Sequence, residues 1–490
     1  MVQPGLLQQI GKRAIGAILP ARALAVLLGV ALATSGCSTL GSMADRLSPS
    51  SRAPEGTAGF IPGFLGGVVA DEPQAALAAR SVLSAGGTAA DAAVAAGLTL
   101  AVTLPSRAGL GAGGACLAFA PAAPGQVAEA VLFQAPPGGG GGDRPAAAPM
   151  LARGLFALHT RYGKRPFEAL VAPAEQMARF GAPVSRAFAR DLAVVAGPLA
   201  GDPEAASIFL PGGRPPAEGD ILVQPDLAGT LGQIRIAGVG DLHQGALARR
   251  LVESSVRAGG GITPQALRAA LPSYAPAPRL TLGGGAIVAV LPTDGGVAAG
   301  AALRTLWANP QAMDAAAAQA AGVAASWRQG AFAGNAQAAV DSAGAPGARL
   351  PPLPATTGFA TVDRQGNAVA CVVSMNNLFG TGRVAPQTGM VLAASPGWMP
   401  PAMLSAAVAY TATNTTSFRA AVTGTGQEGA ALATAAALQQ SGAALRALPA
   451  PVPEPGRANV LLCPQGLPEV PAACSWAADP RGSGLAVGGN

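Results

Sequence analysis

Between residues 356 and 376 the hydrophobic pattern of the chain is at its clearest. Phe359 to Val362 is mostly apolar, Asp363-Arg364-Gln365-Gly366-Asn367 is polar, and Ala368 to Val373 is apolar without a break. The polar cluster is turn chemistry, with Gly366 or Asn367 suited to positive φ, so the stretch predicts a β-hairpin. A strand with no polar alternation is covered on both faces, which places the hairpin inside a layered fold. Upstream, Val68 to Ala70 reads as a strand and Pro73 onward as a helix ending at Gly86-Gly87. Thr88 is then the expected N-cap of an Ala-rich helix. Ala115 to Phe119 and Val127 to Phe133 read as paired strands, with Gly138 to Gly142 a flexible loop beyond them and a helical pattern from His159. Residues 333–355, rich in Ala, Gly and Pro, are expected to be mobile. Ala420 to Gly429 reads as a strand entering a glycine-containing loop.

A chain of 490 residues, half of them hydrophobic, can bury one large α/β core or two ordinary ones. The net charge of +6 raises the question of nucleic acid. No run of five basic residues occurs and aromatics do not interleave with the cations, so a solvated, mildly basic surface is the better reading and no nucleic-acid partner is expected. His159 and His243 are the only histidines and lie far apart, so they read as packing or surface residues and a His-dependent hydrolase is not expected. No cysteine spacing suggests zinc. The glycines at 111, 113 and 114 follow an Ala-rich helix rather than opening one after a strand, which argues against a dinucleotide loop. Neither a metal nor a cofactor is expected.

The first residues carry a different signal. Lys12 and Arg13 precede the apolar run from Ala23 to Ala33, which ends in Thr34-Ser35-Gly36-Cys37. This resembles a bacterial lipoprotein cleavage box and implies a signal peptide over 1–36, lipidation at Cys37 and a tether over 37–58. The location implied is the periplasmic face of a bacterial membrane, the outer rather than the inner. An ordinary secretory signal with an incidental cysteine is the alternative. Of the other cysteines, Cys116 and Cys371 sit in apolar strands and read as packing thiols. Cys463 and Cys474 bracket a Pro-rich segment and can pair in an oxidising compartment.

Candidate chemistry starts at Thr356. If the Ala355–Thr356 peptide were cut, Thr356 would carry a hydroxyl nucleophile and a free α-amine with a pKa of about 8, able to accept the hydroxyl proton. Read alone, Thr356-Thr357 is β-branched material opening a strand, and Ser374 and Asn376 merely end one. The surrounding pattern changes that reading. Thr356-Thr357, Asp363, Gly366-Asn367-Ala368-Val369, Phe379-Gly380-Thr381-Gly382 and Thr388-Gly389-Met390-Val391-Leu392 resemble, in order and spacing, the self-processing hairpin region of the γ-glutamyltranspeptidase family. Weaker likeness runs from about residue 66 to the terminus.

The resemblance implies a four-layer αββα sandwich of the N-terminal nucleophile hydrolase type. It implies a large part over 59–355 and a small part over 356–490 that stay associated after a cut between Ala355 and Thr356. Thr356 would be nucleophile and base, Ser374 the hydroxyl that assists processing, and Thr357 and Asn376 substrate contacts. The substrate would be a small amide or γ-glutamyl-like molecule. Several family positions differ. Gly358 replaces a histidine, Gln134 stands where an arginine would fork onto a carboxylate, and Arg144 is the nearest arginine in sequence. Ala393-Ala394-Ser395 and Pro400-Pro401-Ala402 replace acidic and serine-bearing motifs, and Gln427-Glu428 falls near an expected Gly-Gly pair. These differences leave a second reading open, a binding or scaffold lipoprotein that keeps the fold without turnover.

Overall fold

The computed structural model describes residues 54–122, 127–412, 416–441 and 452–489. Cys37 and the signal segment lie outside the described residues. The described chain is built on two antiparallel sheets. The first comprises β1 (Gly66–Ala70), β2 (Gly113–Phe119), β3 (Ala128–Phe133), β6 (Ser273–Pro276), β9 (Thr357–Asp363), β10 (Ala368–Ser374) and β17 (Leu485–Gly488). Their order is β17-β1-β9-β10-β2-β3-β6. The second comprises β7 (Arg279–Thr281), β8 (Ala286–Val290), β13 (Ser405–Ala412), β14 (Thr416–Thr425), β15 (Arg457–Leu467) and β16 (Ser475–Ala477), in the order β16-β15-β14-β13-β8-β7. Two short ribbons complete the strands: β4 (Ala182–Pro183) with β5 (Ile221–Leu222), and β11 (Val384–Ala385) with β12 (Met390–Val391).

The alternation of side chains along each strand builds the layers. Along β10, Ala368, Ala370 and Val372 face the second sheet, where they meet Val408, Tyr410, Phe418 and Leu461 in one apolar core. Val369, Cys371 and Val373 point the other way, into a core formed with the helices Pro73–Ser84, Ala89–Thr103, Leu151–Tyr162, Phe167–Phe180 and Pro225–Ala237. A third core lies beyond the second sheet, where Val290, Val422 and Val460 meet the helices Asp294–Ala308, Met313–Arg328 and Ala430–Ser441. Helix, sheet, sheet, helix is therefore the order of layers, as the sequence implied.

The helix Ala89–Thr103 buries every one of its residues, which explains why its sequence is apolar all round. Its start is fixed by Thr88 Oγ1, which accepts from Asp91 N, while Asp91 Oδ2 accepts from Thr88 N, a reciprocal capping box. Strands β9 and β10 form the predicted hairpin, in register from Val362 opposite Ala368 to Thr357 opposite Val373. Gly366 takes the positive φ of the turn, at 82°, and the Asp363 carboxylate closes it by accepting from the backbone N–H groups of Gln365 and Asn367. With β1 and β2 on its flanks, the hairpin occupies the middle of the first sheet.

Within 333–355, Ala336–Asp341 is helical, and Asn335 Oδ1 caps it by accepting from Ala338 N at 3.0 Å. Two expectations differ from the structure. The Val127 to Phe133 strand starts one residue later, at Ala128. Cys116 and Cys371 are not free packing thiols. They face one another across β2 and β10 and form a disulfide, beside the Cys463–Cys474 disulfide already anticipated. Periodicity places a thiol on a strand but cannot give the register that brings a second one opposite.

Candidate active site

The threonine pair lies where the hairpin enters the first sheet. Thr357 is the first residue of β9, and Thr356 immediately precedes it with 1% of its surface exposed. The Ala355–Thr356 peptide is continuous, so the geometry is that of the uncut chain. Thr356 Oγ1 is buried and makes no hydrogen bond among the described residues. Burying a hydroxyl without a partner costs about 1–3 kcal/mol.

The groups around this bond are ordered. Ser374, the last residue of β10, donates through Oγ to the Ala355 carbonyl at 2.8 Å. Its oxygen accepts from Asn376 N at 3.0 Å, which aims the hydroxyl proton at that carbonyl. Asn376 adopts φ 56°, a left-handed conformation asparagine tolerates, and its Nδ2 donates to the Ala394 carbonyl at 3.1 Å. On the other side, Asp71 Oδ2 accepts from Thr357 Oγ1 at 3.1 Å and from Gly358 N at 2.8 Å. Asn459 Nδ2 donates to Asp71 Oδ1 at 2.7 Å, tying the entry of β9 to β15. Thr357 thus points at a structural carboxylate rather than at open space.

A cavity of about 300 Å³ is lined by Ser374, Asn376, Gln134 and the Gly113-Gly114 pair; Ser374 joins it to this bond, and neither Ala355 nor Thr356 is part of its wall. Gly113 sits opposite Ser374 in the β2–β10 register. A Cβ at Gly113 would come within 2.2 Å of Ala135 N, so only glycine permits this approach. The cavity is large enough for a small acyl group. A larger cavity of about 490 Å³, lined by Glu72, Ser185 and Asp479, does not reach Ser374 or Asn376.

Gly358 is closely packed. A Cβ there would stand 2.6 Å from Thr423 Oγ1 and 2.8 Å from Thr423 Cβ, so β14 of the facing sheet fills the space a side chain would need. Arg144 donates to the Thr381 carbonyl at 2.7 Å and lines neither the 300 Å³ nor the 490 Å³ cavity. After Thr425 the chain turns through Gly426 and Gln427, both at positive φ, into a short 3-10 turn over Gln427–Gly429.

Both histidines are packing residues. His243 is buried, with Nε2 3.0 Å from the Pro149 carbonyl. Burial, reinforced by nearby Arg153, pushes its pKa down to about 4. His159 Nε2 lies 2.6 Å from the Arg165 carbonyl. No group of three His, Cys, Asp or Glu side chains able to hold a metal occurs among the described residues.

The structure sets Ser374 Oγ on the Ala355 carbonyl and Asn376 N on Ser374, with Thr356 next along the chain and Thr357 turned to Asp71. It adds Asp71 and Asn459, which sequence reasoning missed. The signal for Asp71 was an acid at the end of the Val68–Ala70 strand. Nothing in the sequence near Asn459 marked it.

The γ-glutamyltranspeptidase family model matches residues 75–341 and 323–396. Human glutathione hydrolase 7 is 33% identical over 216 residues, 41% of this chain and 32% of the human protein. The acylase ACY 1 proenzyme of Pseudomonas sp. strain SE83 is 32% identical over 227 residues, 42% of this chain and 40% of that protein. The matched part thus spans about a third of the human relative's length and two fifths of the acylase's. Among solved structures, cephalosporin acylase from Bacillus halodurans superposes with a TM-score of 0.69 at 19% identity, covering 90% of this chain and 98% of that one. At that identity the likeness establishes the fold, and it carries the sandwich past residue 396, where the family match ends.

Proposed function

The chain belongs to the γ-glutamyltranspeptidase family, and from that premise we propose that it is a self-processing amide hydrolase or acyltransferase with Thr356 as nucleophile. The observation that carries this reading is the Ser374 hydroxyl on the Ala355 carbonyl, with an unpartnered Thr356 hydroxyl one residue away. In the first stage Thr356 Oγ1 attacks the Ala355 carbonyl carbon while Ser374 steadies the developing oxyanion. The C–N bond breaks, the Thr356 nitrogen gains a proton, and an ester links Ala355 to Thr356 Oγ1. Water then hydrolyses the ester, leaving a carboxylate on Ala355 and a free amine and hydroxyl on Thr356.

In the second stage the α-amine takes the hydroxyl proton as Oγ1 attacks a substrate amide bound in the cavity at Ser374 and Asn376. The leaving amine departs protonated. Water resolves the acyl ester in hydrolysis, and an acceptor amine resolves it in transfer. The substrate is a small amide, and Gln134 in the cavity wall favours one that differs from the γ-glutamyl pattern. The two parts stay associated, because β9 and β10 are central strands of a sheet in which β1, β2, β3 and β6 precede the cut. A lipid anchor at Cys37 on the periplasmic face of the outer membrane is part of the same reading. The cleavage box supports it, and the Cys116–Cys371 and Cys463–Cys474 disulfides fit an oxidising compartment.

The second reading, a scaffold without turnover, is favoured by the packing of Gly358 against Thr423, which leaves no room there for a side chain. The two are separated by incubating the purified protein with γ-glutamyl-p-nitroanilide and a panel of other acyl anilides. Release of p-nitroaniline that disappears in Thr356→Ala supports the enzyme. Absence of hydrolysis across the panel overturns it in favour of the scaffold.

A further inference from the structure

The cut proposed at Ala355–Thr356 divides both sheets. In the first, β1, β2, β3 and β6 come from the part before it and β9, β10 and β17 from the part after, so β2 pairs with β10 across the division. Cys116 on β2 and Cys371 on β10 stand directly opposite one another in that register, and their disulfide joins the two strands. Three positions along the same pairing, Gly113 faces Ser374. Both cysteines are fully buried, in the core between the first sheet and its helices. The other disulfide, Cys463–Cys474, lies wholly after the cut.

In the uncut chain the Cys116–Cys371 bond closes a loop across 255 residues, and its effect is to restrict the unfolded state. Opening the chain after Ala355 gives the same bond a different role. The loop is then open, and among the described residues this disulfide is the one covalent path from the first part to the second. We propose that the mature protein is a disulfide-linked pair of fragments, in which Cys116–Cys371 keeps the strand bearing Ser374 attached to the strand bearing Gly113 when the sheet pairing is lost. This rests on self-cleavage before Thr356. In the folded protein the pairings β1–β9, β2–β10 and β8–β13 hold the parts together without the bond. Once unfolded, separate fragments would diffuse apart and regain those pairings only by collision, whereas joined fragments stay within reach of one another. The bond also restores register, since a slip of one residue would turn Ser374 to the other face of the sheet. Its formation takes two electrons and two protons from the two thiols, accepted by a disulfide oxidant through thiol–disulfide exchange. Both sulfurs are buried in the folded chain, so that exchange belongs to folding and precedes the cut.

The test is the intact mass and denaturing electrophoresis of purified, cleaved protein, with and without dithiothreitol. Without it, wild type is expected as one species with the mass of the uncut chain plus one water, and iodoacetamide in urea should leave Cys116 and Cys371 unlabelled. Dithiothreitol, itself oxidised to a cyclic disulfide as it returns both thiols, should split that species in two. Both readouts on wild type stand whether or not any variant folds. Cys116→Ala/Cys371→Ala should come apart in denaturant with no reductant, while Cys463→Ala/Cys474→Ala should stay joined. The urea midpoint of the cleaved Cys116→Ala/Cys371→Ala protein should rise with protein concentration, and that of cleaved wild type should not. Wild-type fragments that separate without reductant, labelling of either cysteine, or midpoints that behave alike in the two proteins overturn the proposal. A wild-type chain that stays whole after reduction is the separate failure of the nucleophile reading. The link itself is then decided in Thr356→Ala carrying a site-specific protease sequence at the exposed Pro346-Gly347. Fragments of that protein that stay joined until reduced support the link, and fragments that part without reductant overturn it.

Discussion

Replacing Ser374 with alanine removes one oxygen that makes two contacts, donation to the Ala355 carbonyl at 2.8 Å and acceptance from Asn376 N at 3.0 Å. The first contact already exists before reaction, so only its strengthening as the carbonyl oxygen gains charge accelerates the cut. A neutral hydrogen bond contributes about 1 kcal/mol and one to a charged group about 2–3 kcal/mol. The difference is about 1–2 kcal/mol, or roughly 5- to 30-fold in rate. The second contact is structural. Its loss leaves a buried N–H without an acceptor and costs about 1–3 kcal/mol of stability. The assay is a time course of intact mass after dilution from a folding-arrested state, followed in wild type, Ser374→Ala and Ser374→Thr. Ser374→Thr keeps the hydroxyl and should restore most of the rate. Cleavage of Ser374→Ala within twofold of wild type, or of Ser374→Thr as slow as Ser374→Ala, would refute the role of this hydroxyl at the scissile bond.

Further outcomes concern packing and pH. Gly358→Ala should destabilise the protein by about 1–3 kcal/mol in urea unfolding, because the added Cβ meets Thr423. Adding Thr423→Gly, which removes both the Oγ1 and the Cβ that crowd this position, should recover part of that loss, and additive costs in the double variant would contradict the close approach. His243, whose folded pKa of about 4 lies below its ordinary 6.5, contributes stability that is complete above pH 6.5 and lost as pH falls through 4. The full loss is about 3 kcal/mol. Glu72, Asp294 and Asp363, held above the usual carboxyl range mainly by burial, act in the opposite sense, favouring the folded state as pH falls. Subtracting the pH profile of His243→Asn from that of wild type isolates the histidine, and a flat difference between pH 7 and 4 would reject its buried neutral state.

What could be read in the sequence was whatever depends on neighbours along the chain. The turn at Asp363 to Asn367, the Thr88 cap and the apolar strand Ala368 to Val373 each declare themselves within a few residues, and the structure has them in place. The resemblance supplied the layer order and brought Ser374 to Ala355, a contact between residues 19 apart that no local rule gives. What stayed hidden depends on register and on approach between distant segments. Cys371 meets Cys116 across 255 residues, and Asn459 reaches Asp71 across 388. The helix Ala336–Asp341 was missed for another reason: its cap, Asn335, lies in a segment whose glycines and prolines dominate the local signal.

The central claim is that this backbone cuts itself and so frees an amine next to its own hydroxyl. N-terminal sequencing of the smaller fragment, after prolonged incubation of purified protein, tests it most directly. A fragment beginning Thr356-Thr357-Gly358, formed in wild type and not in Thr356→Ala, is the predicted result. A chain that stays whole, or a fragment with any other first residue, would contradict the account.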